Sequence, residues 1–146
     1  MNVLEHIEDD GEALNNMRRC MRPGGKLVLL VPQGMWLYGP FDEKIGHYRR
    51  YKKGQLMDLL AKHGFDVSRC FHFNALGVPG WWVNSRILKR DHLSRGLLGV
   101  YERISPPILW MEKKVGLPYG ISLISIGRKE GLDPVENVPA SESSTA

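Results

Sequence analysis

Two short stretches of this 146-residue chain carry side chains suited to moving protons and holding anions. The first is Glu5-His6. A histidine titrates near neutrality and can take a proton from a reacting group, while a neighbouring carboxylate orients it or raises its basicity. The same pair also suits a purely structural task, holding a strand-end loop and capping nearby amides. The second stretch is His47-Tyr48-Arg49-Arg50-Tyr51. Planar guanidinium forks match carboxylates or phosphates, and tyrosines wall a pocket while offering a hydroxyl. Its structural alternative is that the arginines pair with Asp42 and Glu43. Trp36 and Tyr38, just upstream, read either as pocket lining or as core.

These groups need a scaffold that brings them together. Asn2–Ile7 reads as the last turn of a buried strand. Asp9, followed three residues later by Glu12, is a capping-box pattern, and the acids around it suit the positive end of a helix dipole. Ala13, Leu14, Met17 and Met21 then recur at helical spacing, and Pro23-Gly24-Gly25 stops the helix. Lys26–Val31 is a continuous apolar run, expected to be a strand buried on both faces of a parallel sheet. Residues 33–52 form a loop. A second helix follows, with Leu56, Met57, Leu59 and Leu60 on its buried side and Gly64 as its stop. Phe65–Asn74 reads as a strand and Tyr119–Arg128 as the final one. Between them, Pro79, Pro106, Pro107 and Pro118 punctuate short helices.

Helix, turn, buried strand, loop, helix and strand in this order predict an α/β domain over residues 1–130. Residues 75–118 form a helical insertion before the last strand. The tail, 131–146, is rich in Pro, Ser and acids and is expected to be disordered. Ligands of open α/β sheets lie beyond the carboxyl ends of strands, which places Glu5-His6 and the loop after Val31 at the site.

Composition narrows the function classes. Cys20 and Cys70 have no CxxC or His/Cys spacing, so they read as reduced cytoplasmic thiols, not as a disulfide framework or zinc knuckle. No stretch approaches the length of a membrane-spanning helix. All 20 Lys and Arg fall in residues 18–129, against seven acids there, a net of +13, while both termini are acidic. This positive middle predicts an anionic partner or a solvated basic surface. No nucleic-acid-binding motif accompanies it, so nucleic acid is not expected. Val78-Pro79-Gly80-Trp81-Trp82-Val83, with cations following, reads either as an acceptor-binding cap with its tryptophans inward or as peripheral contact with a bilayer.

Asn2-Val3-Leu4-Glu5-His6-Ile7, then Asp9-Asp10, Arg22–Leu27 and Val31-Pro32, resemble class I S-adenosylmethionine-dependent methyltransferases of the type 11/type 12 kind. Leu37-Tyr38-Gly39, Asp42 and Gly46–Tyr51 resemble one subgroup. The resemblance covers roughly residues 2–74 and implies the C-terminal part of a Rossmann-like methyltransferase sheet, strands 5, 6 and 7 with flanking helices. It implies S-adenosylmethionine as cofactor, with Asn2, Leu4 and Glu5 binding it and Glu5 and His6 as catalytic residues near the methyl group. Trp36, Tyr38, His47, Tyr48, Arg49, Arg50 and Tyr51 would line the side of a small acceptor, anionic or lipid-linked. Some family members bind a divalent cation through an acidic residue three positions before the glutamate. Here that position is Asn2, a poor ligand for a hard cation, so no metal is assigned.

The family's glycine-rich cofactor loop has no counterpart, because neither GxGxG nor GxGxxG occurs anywhere. Met1 is therefore expected to be an internal start or the beginning of a shortened chain. The chain alone is expected to be inactive and to self-associate through an exposed sheet edge. The rival expectation is a non-catalytic binding module that uses a basic, Trp-rich surface for a partner or membrane.

Overall fold

Asp9 opens the first helix as its spacing from Glu12 predicts, its carboxylate accepting the Glu12 amide at 2.8 Å. The computed structural model describes residues 3–87, 95–115 and 117–130. The tail expected from residue 131 onward lies outside these. Along the chain run α1 (Asp10–Arg19), β1 (Lys26–Pro32), α2 (Pro40–Lys44), α3 (Lys53–Lys62) and β2 (Phe65–Phe73). Then follow α4 (Gly77–Trp82), which continues as a π-helical turn over Val83–Ile87, α5 (Arg95–Val115) and β3 (Ser122–Lys129).

The fold is a mixed α/β one with a helical insertion before its last strand. The three strands form a sheet in the order β1-β3-β2, with β3 antiparallel to both neighbours. Leu27, Leu29 and Val31 alternate along β1 into one core with Leu14 of α1, Leu56 and Leu60 of α3, Phe65 of β2 and Leu123 of β3. The expectation that β1 is buried on both faces of a parallel sheet is thus corrected. The helices of this core lie on one side, and Val28, which points the other way, is half-exposed. The apolar run of β1 reflects β-propensity as well as burial.

Two further corrections concern local structure. Leu4–His6 is a single 3-10 turn, not the end of a strand; the His6 amide bonds Val3 O at 3.0 Å and the Ile7 amide bonds Leu4 O. Pro106 and Pro107 do not punctuate the insertion into short helices; they lie inside α5. Each forgoes a ladder hydrogen bond, and both lie on exposed positions of the helix. Beyond them, Glu112 ties α5 down, its buried carboxylate accepting the Ala75 amide at 3.1 and 3.3 Å.

The two ends of α1 are secured differently. Lys129, buried at the end of β3, donates its ammonium to Arg18 O and Met21 O at 3.0 and 3.1 Å, placing a cation at the helix C-terminus. Asp9 caps the other end, and Asp9→Ala is expected to cost about 1 kcal/mol of stability. Urea denaturation checks this: a midpoint unchanged from the parent would show that the cap is dispensable.

Candidate functional site

Past β1 the chain is held in an extended path beside its own return. The Tyr51 amide donates to Pro32 O at 2.8 Å, the Gly34 amide to Tyr51 O at 2.9 Å, and Gln33 and Tyr51 form a parallel bridge. The run 47–51 is therefore docked at the carboxyl end of β1. One further bond brings it to the other candidate segment, the Tyr48 amide donating to Glu5 O at 2.8 Å.

Asp42 organises the loop. It sits in the first turn of α2, fully buried, and accepts the Gly39 amide at 3.1 Å. Arg50, also buried, meets it with both arms, Nε to Oδ1 and a terminal nitrogen to Oδ2, each at 3.0 Å. His47 Nδ1 lies 2.9 Å from Oδ1 of the same carboxylate. Burial is the chief influence pulling the Arg50 guanidinium below its ordinary value, and Asp42 opposes it. Arg50 also stacks on Trp81 at 4.6 Å. That ring is fixed by its N–H, which donates to Leu37 O at 3.0 Å, and by the edge of Phe41. Of the two adjacent tryptophans, Trp81 thus packs inward while Trp82 is exposed. Lys89 and Arg90 of the cationic stretch lie outside the described residues.

The Asp42 carboxylate can only accept at His47 Nδ1, so a proton sits on that nitrogen, and Nε2 faces Glu5 Oε1, 3.8 Å away. Glu5 is fully buried and His6 is exposed. The His6 ring meets the His47 ring edge-on with centroids 4.6 Å apart, and its Nδ1 donates to Gly46 O at 3.2 Å. Gly46 has φ +76°, a conformation that a side chain disfavours, and this aims its carbonyl at His6. Glu5, His47, Arg50 and Trp81 line a pocket of about 160 Å³ with Leu30 and Pro32. An imidazole oriented by one carboxylate and facing another can take up a proton at Nε2.

The remaining sequence candidates have definite places. Asn2 lies outside the described residues. Leu4 is buried, and its carbonyl accepts the Tyr51 hydroxyl at 3.4 Å. The one proton of that hydroxyl is shared with Asp10, the nearer acceptor at 3.0 Å, and burial followed by Asp10 pushes the Tyr51 phenol well above its ordinary value. Arg49 pairs with Asp10 at 2.8 Å and donates to Glu8 O. Tyr38 donates its hydroxyl to His47 O at 2.8 Å, whereas the Trp36 and Tyr48 rings are half-exposed.

Both arginines are thus engaged by carboxylates, Arg50 by Asp42 and Arg49 by Asp10. The structural alternative that an arginine pairs with Asp42 holds for Arg50, whereas sequence reasoning missed that the same carboxylate holds His47 and the Gly39 amide. Trp81 packs inward, as the cap alternative for the 78–83 motif expects, but its seat against Arg50 carried no signal in the spacing. A larger cavity of about 660 Å³ runs along β2 and contains none of the candidate residues.

No family model matches the sequence, and no curated protein does. Among solved structures, the chain is similar to a putative methyltransferase from Bacillus halodurans C-125, at 18% identity and a TM-score of 0.49, covering 89% of this chain and 62% of that one. It is also similar to an S-adenosylmethionine dependent methyltransferase from Mesorhizobium loti, at 13% identity and a TM-score of 0.49, covering 86% and 58%. The chain spans about three-fifths of the length of each.

Proposed function

We propose that this chain serves methyl transfer from S-adenosylmethionine to a small acceptor, anionic or lipid-linked. One observation supports the reading above the rest. The two segments that carry the sequence resemblance, Glu5-His6 on the methyl side and Gly46–Tyr51 on the acceptor side, meet through the Tyr48–Glu5 and His6–Gly46 hydrogen bonds and share a pocket.

The cofactor supplies an activated methyl group, so the protein's part is to orient the acceptor and remove its proton. The pocket of about 160 Å³ falls short of the roughly 300–1,000 Å³ of a complete small-molecule site. The Leu4–His6 turn fits as one wall of a cofactor site, and the described residues do not enclose the whole molecule. In this reading His47, with Nδ1 held by Asp42, takes the acceptor proton at Nε2. Glu5 favours the imidazolium that results. Trp81 and Arg50 form the apolar and cationic wall against which the acceptor rests.

Amide NMR of the folded chain with added S-adenosylhomocysteine tests the proposal and detects weak binding to a partial pocket. Shifts concentrated at Leu4–Ile7 and Gly46–Tyr51 are expected. A folded chain without shifts there, even with excess ligand, would overturn the reading in favour of a binding module.

A further inference from the structure

We infer that the cavity of about 660 Å³ along β2 is a second ligand site, one for a small organic anion with an apolar body. Its volume falls within the roughly 300–1,000 Å³ of complete small-molecule sites. It shares no lining residue with the pocket of Glu5 and His47, so the inference stands apart from the methyl-transfer reading.

Topology makes the cavity. β2 pairs with β3 alone, and its other edge is unpaired among the described residues. Every residue from Val67 to Phe73 lines the space. Neighbouring side chains of a strand point to opposite faces, so the cavity follows this edge and is not confined to one face of the sheet. Lys53 and Met57 of α3, Glu112 of α5 and Leu117 complete the lining. A register shift between Val67 and Arg69 interrupts the edge, which disfavours an added strand and leaves a small molecule as the occupant.

The lining selects the ligand's chemistry. Met57, Phe73 and Leu117 offer apolar surface, and Phe71 is left exposed beside them. Lys53 and Arg69 are also exposed, and among the described residues no carboxylate pairs with either, unlike Arg49 and Arg50. Glu112, the one acid among the described lining residues, is already engaged, its carboxylate accepting the Ala75 amide at 3.1 and 3.3 Å.

His72 supplies a second observation. Its Nδ1 is buried and finds no hydrogen-bond partner among the described residues. Turning the ring to present that nitrogen to the cavity therefore sacrifices no bond there. Burial, and after it the Lys53 ammonium, hold the imidazole below its ordinary value and so neutral at neutral pH. The field that discourages a positive charge on His72 favours a negative one beside it. An oxyanion there accepts from the His72 ring and from Lys53 while its apolar body lies along Met57 and Phe71.

The test is amide NMR of the folded chain titrated with decanoate below its micellar concentration, with decyltrimethylammonium and acetate as comparisons. Decanoate should shift Lys53, Met57, the amides of Val67–Phe73 and the His72 ring protons. The cationic amphiphile tests the charge, and acetate tests the need for an apolar body. Each should bind at least about tenfold more weakly, the loss expected for one charge-assisted hydrogen bond or two buried methylenes. Lys53→Glu combined with Arg69→Glu, both at exposed positions and verified as folded by circular dichroism, should weaken decanoate binding by at least as much. If the pair fails to fold, Lys53→Glu alone decides. No decanoate shifts at Val67–Phe73, shifts confined to Gly46–Tyr51, or equal binding by either comparison ligand or by the folded variant overturns the site. Shifts with S-adenosylhomocysteine are expected at Leu4–Ile7 and Gly46–Tyr51, away from every residue of this cavity, so the two readings fail separately.

Discussion

Under the proposed methyl-transfer reading, replacing His47 with Ala in a protein that carries the complete cofactor site is expected to lower turnover by about 10²- to 10⁴-fold, the usual contribution of a positioned acid–base group. Release of labelled methyl into acceptor measures this, with binding of S-adenosylhomocysteine followed in parallel. The expectation rests on three features of one ring: Nδ1 is held by Asp42, Nε2 faces Glu5, and the ring borders the pocket. A loss of turnover with cofactor affinity retained assigns His47 to a step after binding. Equal turnover in parent and variant would remove it from the chemistry. His6→Ala is the companion measurement. Its ring contacts His47 but is not part of the pocket wall, so a comparable loss would mean that the two imidazoles act as a unit.

The second large effect is on stability. Asp42→Ala leaves the Arg50 guanidinium buried without its carboxylate, and removing one partner of a buried pair costs about 3–5 kcal/mol. It also strips the Gly39 amide and His47 Nδ1 of their acceptor, so the loop from α2 to Tyr51 should loosen with it. Urea denaturation should show a large fall in midpoint. Replacing Arg50 with Met in the same background should recover part of it, because the stranded charge is then gone. A loss within the roughly 0.5 kcal/mol of an ordinary surface substitution would show that water replaces Asp42 at little cost.

How far this arrangement could be read beforehand differs from one segment to the next. The first helix announced itself because its signals are local: an Asp9 cap, acids in the first turn and a Leu14 stripe. The α3 helix was legible for the same reason, with Leu56 and Leu60 facing the core and Gly64 at φ +75° beyond its end. The pairing of β1 was not legible. An apolar strand beside a parallel neighbour and one beside an antiparallel neighbour present the same run of side chains, and only the return of β3 between β1 and β2 decides between them. Pro106 and Pro107 misled for a related reason, since the penalty for proline inside a helix is local while the Glu112–Ala75 anchor lies far away in sequence.

In the site, residue types were informative and partners were not. Spacing marked Glu5, His6 and the 47–51 run, yet their meeting depends on the Tyr48–Glu5 bond. The pairing of Arg49 with Asp10 and of Arg50 with Asp42 could not be ranked from charges that all lie within reach on paper.

The position of β3 bears on how the molecule is made. Of the described strands it is the last to leave the ribosome, and it is the one to which both earlier strands pair. At about 5–20 residues per second, β1 and β2 wait several seconds for it with their inward side chains uncovered. Assembly of the sheet is therefore a late event in synthesis. Throughout that interval Leu27, Leu29 and Phe65 lack Leu123, the β3 side chain that shares their core in the folded chain.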